Sequence, residues 1–117
     1  MKGSDIALRL EIFAVRCLVV VNDLPKTTTG KHIANQLLRS ATSPGANYEE
    51  ARGAESKADF VHKLGIVRKE LLESHYWLRL IARAGLVPVP RLASLLKEAD
   101  ELGKIITSSV LTAKSSK

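Results

Sequence analysis

Cysteine is nearly absent from this chain of 117 residues, in which Cys17 is the single example. One thiol cannot form an internal disulfide, and it cannot supply a cysteine-based zinc site. Because Cys17 falls within an apolar stretch of helical periodicity, we expect a buried thiol in a reducing compartment.

Aromatic residues are also scarce, at 4% of the chain. The core must therefore consist of leucine, isoleucine, valine and alanine, and no segment shows the period-two alternation of a strand. Asp5, Arg9 and Glu11 interrupt the apolar residues near the N-terminus, so we expect neither a signal peptide nor a membrane span. The length predicts one domain over residues 1–117, and a cytoplasmic protein is the default expectation.

Four amphipathic segments predict four helices, over about residues 4–22, 28–52, 56–84 and 90–112. Ser4 or Asp5 is expected to cap the first helix, and Ser56 the third. Four apolar residues at helical spacing are expected to form the core-facing side of the first helix: Leu8, Ile12, Val15 and Val19. Pro44 lies within the second segment, where it removes a hydrogen bond and predicts a kink or local break. Three short connections then predict an all-α, antiparallel up-down-up-down four-helix bundle.

The formal net charge of +6 favours polyanionic partners, of which nucleic acid is the commonest in the cytoplasm. On a helical wheel of the third segment, the acidic residues Asp59, Glu70 and Glu73 lie opposite a basic stripe. That stripe falls within about 80° beside the apolar seam and contains Lys57, Arg68, His75, Arg79 and Arg83. Arg39 and Arg52 are further cationic candidates.

Two interpretations of the stripe stay open. In one, Lys57, Arg68, Arg79 and Arg83 contact phosphates, and binding weakens steeply with salt because counterions are released. In the other, basic and acidic flanks of neighbouring subunits pair across a heterologous ring interface.

Four further polar residues near the apolar seams are Asn47, Glu50, Glu70 and Glu73. They are candidates for binding a cation or positioning a nucleotide. The alternative is a structural network paired with Arg39, Lys63 or Lys69, which we favour because buried charges persist only when paired.

Catalytic patterns are missing from the sequence. The Glu-x-x-His pairs of di-metal bundles do not occur, Cys17 has no predicted histidine–acid partners, and no glycine-rich phosphate loop is present. We therefore expect no catalytic residue, no metal and no cofactor. Tyr76 and Trp77 either stack on bases or anchor packing.

Residues 36–86 contain the motifs QLLRSATSPGANYEEARGAESKADF and KLGIVRKELLESHYWLRLIARAGL. These motifs resemble the bacterial four-helix-bundle proteins encoded in intervening sequences of large-subunit ribosomal RNA, a family that includes the accessory variability protein of diversity-generating retroelements. One departure is Ala51, where many members have glycine. The resemblance implies a homopentamer forming a basic barrel and, for the retroelement branch, binding to nucleic acid and to a reverse transcriptase.

The sequence therefore predicts a non-enzymatic, oligomeric accessory protein that binds the backbone of RNA or DNA through a basic surface. The alternative is a protein–protein scaffold whose charged flanks serve only the assembly of identical subunits.

Overall fold

The computed structural model describes residues 1–116 and consists of four helices: α1 (Gly3–Asp23), α2 (Thr28–Arg52), α3 (Lys57–Arg83) and α4 (Val89–Ser115). The predicted all-α class with four helices is confirmed. The bounds differ from the predicted ones by at most three residues, at the end of α4.

Hydroxyl side chains cap two of the helices. Thr27 Oγ1 accepts a hydrogen bond from the Gly30 N–H at 3.1 Å, and Ser56 Oγ accepts one from the Asp59 N–H at 3.0 Å. The expected cap of α1 at Ser4 or Asp5 is wrong, because the helix already begins at Gly3 and both residues lie in its first turn. The Asp5 carboxylate there accepts from the backbone N–H of Lys2 and suits the positive end of the helix dipole.

Where two neighbouring helices touch, residues of increasing number on one helix contact residues of decreasing number on the other. Between α1 and α4, Arg9 contacts Glu98 and Arg16 contacts Ser94. Between α2 and α3, Ser40 contacts Ser74 and Glu50 contacts Lys63. Between α3 and α4, Lys57 contacts Ser116. Between α1 and α2, Gly3 lies next to Tyr48 and Leu10 lies next to Gly45. Adjacent helices therefore run in opposite directions, and their side-by-side packing gives a rod of 50 × 22 × 19 Å.

The core runs the length of the rod and is built from aliphatic side chains. Its largest fully buried members include Phe13 on α1, Leu37 on α2, Leu64 and Leu78 on α3, and Leu102 on α4. Cys17 is also fully buried, as its apolar surroundings in the sequence predicted.

The expected core face of α1 is wrong. Leu8, Ile12, Val15 and Val19 are 47–56% exposed, and the buried residues of this helix are Ile6, Leu10, Phe13, Cys17 and Val20. Both sets recur at helical spacing, on sides of the helix about 150° apart. Periodicity alone cannot choose between them. The tertiary structure makes the choice: the Phe13 side packs into the core, and Arg9 and Arg16 beside it reach α4.

Pro44 is buried inside α2, and the helix continues through it without interruption. A local break at this position is therefore excluded, whereas a bend of the helix axis stays a prediction. The adjacent Gly45 packs against α1, where a Cβ atom would lie 3.8 Å from Leu10 Cβ.

Two glycines shape the connections. A Cβ atom at Gly30 would lie 2.0 Å from the carbonyl oxygen of Pro25, so only glycine lets the α1–α2 connection fold back on α2. Gly85, with φ of +69°, ends α3 in the left-handed conformation, and the Leu86 N–H donates to the Ile81 carbonyl at 3.1 Å.

Candidate nucleic-acid interface

The cations of α3 that the sequence singled out are exposed. We call this set the α3 basic face: Lys57, Arg68, Arg79 and Arg83. Within residues 1–116, no carboxylate lies within ion-pair distance of Arg68, Arg79 or Arg83. Lys57 donates to the main-chain carbonyl of Ser116, which carries no formal charge. The positive charge of this face is therefore not neutralised by neighbouring side chains.

The acidic side of α3 is paired in part with a cation of α2. Arg39 donates one hydrogen bond to the buried Glu70 at 3.0 Å and another to Glu73. Glu73 also accepts from the indole N–H of Trp77 at 3.0 Å. Arg39, a candidate phosphate contact, thus holds two carboxylates, and α3 is left with an excess of positive charge on its outer side.

The remaining predicted polar residues, Asn47, Glu50 and Arg52, lie near the C-terminal end of α2. Arg52 pairs with Glu49 on its own helix at 3.2 Å, and Glu50 accepts from Lys63 of α3 at 2.8 Å. This hydrogen bond raises the pKa of Lys63. Asn47 donates to the Ser43 carbonyl within α2, so it does not bridge two helices.

A groove of about 590 Å³ separates α3 from α4 beside the basic face. Arg68 and Arg79 contribute unpaired cations to its lining, whereas Lys104 pairs with Asp100 of the same lining at 3.2 Å. Leu72 and Leu111 add apolar residues that are more than 60% exposed. The groove therefore combines positive charge with apolar surface. Sequence reasoning identified the charge but not these two leucines, because the wheel assigned only the inward seam.

His75 also lines this groove but adds no charge to it at neutral pH. Burial, together with the positive charge of Arg79, lowers the pKa of His75. Of the stripe that the helical wheel predicted, only the lysine and arginine side chains therefore supply permanent charge.

The adjacent residues Tyr76 and Trp77 differ in their environments. Trp77 is half-buried, held by Glu73, and its ring meets His32 edge-on at 6.2 Å. Tyr76 is 47% exposed, and the Arg79 guanidinium carbon lies 5.7 Å from its ring centroid. Trp77 thus anchors packing between α2 and α3, while Tyr76 lies open on the basic face.

A second candidate surface was missed at the sequence level. The exposed residues Leu8, Ile12, Val15 and Val19 form a continuous apolar stripe, here called the α1 ridge. Scattered exposed leucines and valines are ordinary, whereas a contiguous stripe indicates an interaction surface. The available signal was the second heptad pattern of α1, which we had assigned to the core.

Groups suited to metal binding or nucleophilic chemistry are scarce in the part of the chain that the structure describes. Within residues 1–116, no group of three or more His, Cys, Asp or Glu side chains is arranged to hold a metal ion. Burial raises the pKa of the Cys17 thiol to about 12, which keeps it protonated and unreactive. None of the helices in this part of the chain combines the length and apolar character that crossing a membrane requires.

The fold and its surface define a four-helix-bundle protein with one strongly basic helix face. The chain belongs to the 23S rRNA-intervening sequence protein family, whose match covers residues 5–108. The resemblance carried by residues 36–86 therefore extends into α1 and α4.

A solved structure from the same structural class supports this assignment. It is the crystal structure of a protein of unknown function from the S23 ribosomal protein family of Bacteroides thetaiotaomicron, with 34% sequence identity and a TM-score of 0.86. The similarity covers 94% of this chain and 98% of that chain. None of the curated proteins matches. The comparisons therefore define fold and family, and no activity accompanies them.

Proposed function

We propose that this chain is a non-enzymatic, oligomeric, cytoplasmic protein that binds the phosphate backbone of nucleic acid through the α3 basic face. The observation that carries the proposal is the uneven pairing of charge on α3. Arg39 pairs with Glu70 and Glu73 on one side of the helix, whereas Arg68, Arg79 and Arg83 have no acidic partner among residues 1–116.

Arginine suits this role because its forked donors match phosphate oxygens. No base-reading motif accompanies the cations, so phosphate contacts should dominate and sequence specificity should be low. The net charge of +6 adds a long-range attraction for polyanions.

The α1 ridge supports the oligomeric part of the proposal. Its four apolar residues are removed from water if the ridge packs against a second copy of the chain, which would leave α3 on the opposite side of the bundle open. A pentamer, and a reverse transcriptase partner, remain expectations that the family resemblance implies.

The test is a binding titration of the purified protein with fluorescently labelled RNA and DNA at several salt concentrations. For about four phosphate contacts on a duplex, the logarithm of the association constant should fall against the logarithm of salt with a slope of about −3 to −4. The double variant Arg68→Glu with Arg79→Glu should reduce that slope by about two and weaken binding at every salt concentration.

A matched control is Lys2→Glu with Lys26→Glu, which changes the net charge equally at exposed sites outside α3. This control should bind much more tightly than the arginine variant. Equal losses in the two variants, or an absence of binding by the native protein at low salt, would refute the proposal.

One observation favours the scaffold function instead. The molecule has both an apolar ridge on α1 and a partly apolar groove between α3 and α4, and such different faces permit head-to-tail assembly of identical subunits. In that arrangement Arg68 and Arg79 would lie within the contact between two copies. Loss of the oligomer in Arg68→Glu with Arg79→Glu, measured by light scattering, would favour the scaffold.

A further inference from the structure

Among residues 1–116, Tyr76 is the one Phe, Tyr or Trp residue that is exposed, and it contacts an unpaired cation. The residue is 47% exposed, whereas Phe13 and Tyr48 are buried and Phe60 and Trp77 are partly buried. The energetic cost of leaving an aromatic ring in water makes such an exposed ring a candidate for contact with a ligand.

The orientation of the Tyr76 ring is supported by its contact with Trp77. Tyr76 meets Trp77 edge-on, with ring centroids 5.1 Å apart and an angle of 73° between the planes. Trp77 is itself held by its hydrogen bond to Glu73, and Arg39 holds Glu73 in turn. The exposed ring therefore stands on a support that reaches from the surface to α2, which limits the entropy lost on binding.

One cation lies next to the ring. The guanidinium of Arg79 lies 5.7 Å from its centroid, in cation–π range. One turn earlier on the same side of α3, the exposed Leu72 extends the apolar surface, with Arg68 and Lys69 exposed beside it. An aromatic ring within a basic patch is the combination by which proteins bind single strands: cations hold phosphates, and rings stack on bases.

We propose that Tyr76 stacks on an unpaired base, so that the α3 basic face binds single-stranded nucleic acid in preference to duplex. In a duplex the faces of the bases are covered by their neighbours, and only the phosphates remain available to Arg68 and Arg79. This inference rests on the proposed function and adds the class of nucleic acid to it.

The experiment compares a fluorescein-labelled single-stranded RNA with its duplex of the same length, by fluorescence anisotropy at one salt concentration. Tyr76→Leu, which removes the ring but keeps an apolar side chain, should weaken single-strand binding about fivefold to tenfold, the lower part of the range for base–aromatic stacking. Duplex binding should change less than twofold. Tyr76→Phe retains the stacking ring and should bind both forms like the native protein.

A second readout is the fluorescence of Trp77, the single tryptophan of the chain, which touches the Tyr76 ring. Single-stranded RNA should change this emission more than duplex does, and the difference should disappear in Tyr76→Leu.

The control for the proposed function is Arg68→Glu with Arg83→Glu, which leaves Tyr76 and Arg79 in place and should weaken the binding of both forms. If this variant does so while Tyr76→Leu affects neither form, or both equally, the stacking inference fails and backbone binding stands. If the native protein binds neither form, the proposed function fails. A changed oligomer mass in Tyr76→Leu would assign the ring to a contact between copies and overturn the inference.

Discussion

The guanidinium of Arg39 on α2 lies 3.0 Å from the carboxylate of Glu70 on α3, and the Glu70 side chain is only 9% exposed. The same guanidinium also reaches Glu73, which holds Trp77. One residue of α2 therefore pairs with two carboxylates of α3 and supports the aromatic pair. The pairing holds both carboxylates on the α2 side of α3, whereas Arg68, Arg79 and Arg83 lie on its outer side.

Removal of this ion pair is expected to destabilise the bundle. Arg39→Met should lower the free energy of unfolding by about 1–2 kcal/mol, less than for a fully buried pair because the Arg39 side chain is half-exposed. Arg52→Met is the matched control, since Arg52 pairs with the exposed Glu49 and its loss should cost about 0.5 kcal/mol or less. Urea denaturation measures both values, and similar costs for the two variants would contradict the structural role of Arg39.

The two sides of α1 are distinguished by one substitution made at two positions. Leu10 is fully buried and Leu8 is 56% exposed, so Leu10→Ala should lower the free energy of unfolding by about 2–5 kcal/mol. Leu8→Ala should cost less than about 1 kcal/mol in a monomer, because it leaves no cavity.

The α1 ridge adds a concentration effect to this comparison. If copies associate through the ridge, Leu8→Ala should lower the melting temperature by an amount that depends on protein concentration. Thermal unfolding at several concentrations measures this dependence. Equal costs for Leu8→Ala and Leu10→Ala at high dilution would show that the assignment of the buried side is wrong.

Substitution of glycine by alanine should have opposite effects on stability at positions 30 and 65. Gly30→Ala places a Cβ atom 2.0 Å from the Pro25 carbonyl oxygen, so the α1–α2 connection must shift and the protein should be destabilised. Gly65→Ala meets no atom within 4 Å in the middle of α3 and should stabilise the helix by about 0.5–1 kcal/mol. Thermal unfolding gives the sign of each change, and stabilisation by Gly30→Ala would refute the close approach.

Alkaline pH should destabilise the fold through Cys17. Burial raises the pKa of this thiol from 9.0 to about 12, so the unfolded chain releases the proton first. The contribution to stability is complete below pH 9 and declines as the pH rises towards 12, reaching a loss of about 1.4 kcal/mol at pH 10.

Cys17→Ala is the control for this effect. The variant loses packing at every pH but lacks the thiol, so the difference in unfolding free energy between the native protein and the variant should shrink from pH 8 to pH 10. Denaturant titrations under reducing conditions measure this difference, and a constant value would contradict burial of the thiol.

Several features of the fold could be predicted because they depend on local chemistry. The side-chain oxygens of Thr27 and Ser56 cap the helices that begin directly after them. Gly85 adopts the left-handed conformation that ends α3. Pro44 shows the limit of such rules. The rule predicts a kink or a local break, and the helix continues through the buried Pro44 without a break.

The candidate site could be predicted only in part. The wheel located Arg68, Arg79 and Arg83 on one side of α3, since spacing along a helix determines which residues share a side. It could not show which of the predicted partners Arg39, Lys63 and Lys69 meets Glu70 and Glu73, because that choice needs the register between two helices. Nor could it separate Tyr76 from Trp77, whose different exposure depends on the neighbouring α2.

The sequence by itself determined the number of helices, most of their ends to within one residue, and the excess of positive charge, since periodicity, turn residues and charge can be read without knowing which helices meet. Only the tertiary structure decided which apolar side of α1 is buried and which cations stay unpaired. In an isolated helix the two apolar stripes of α1 are equivalent, and they become different only when the bundle forms and the Phe13 side packs into its core.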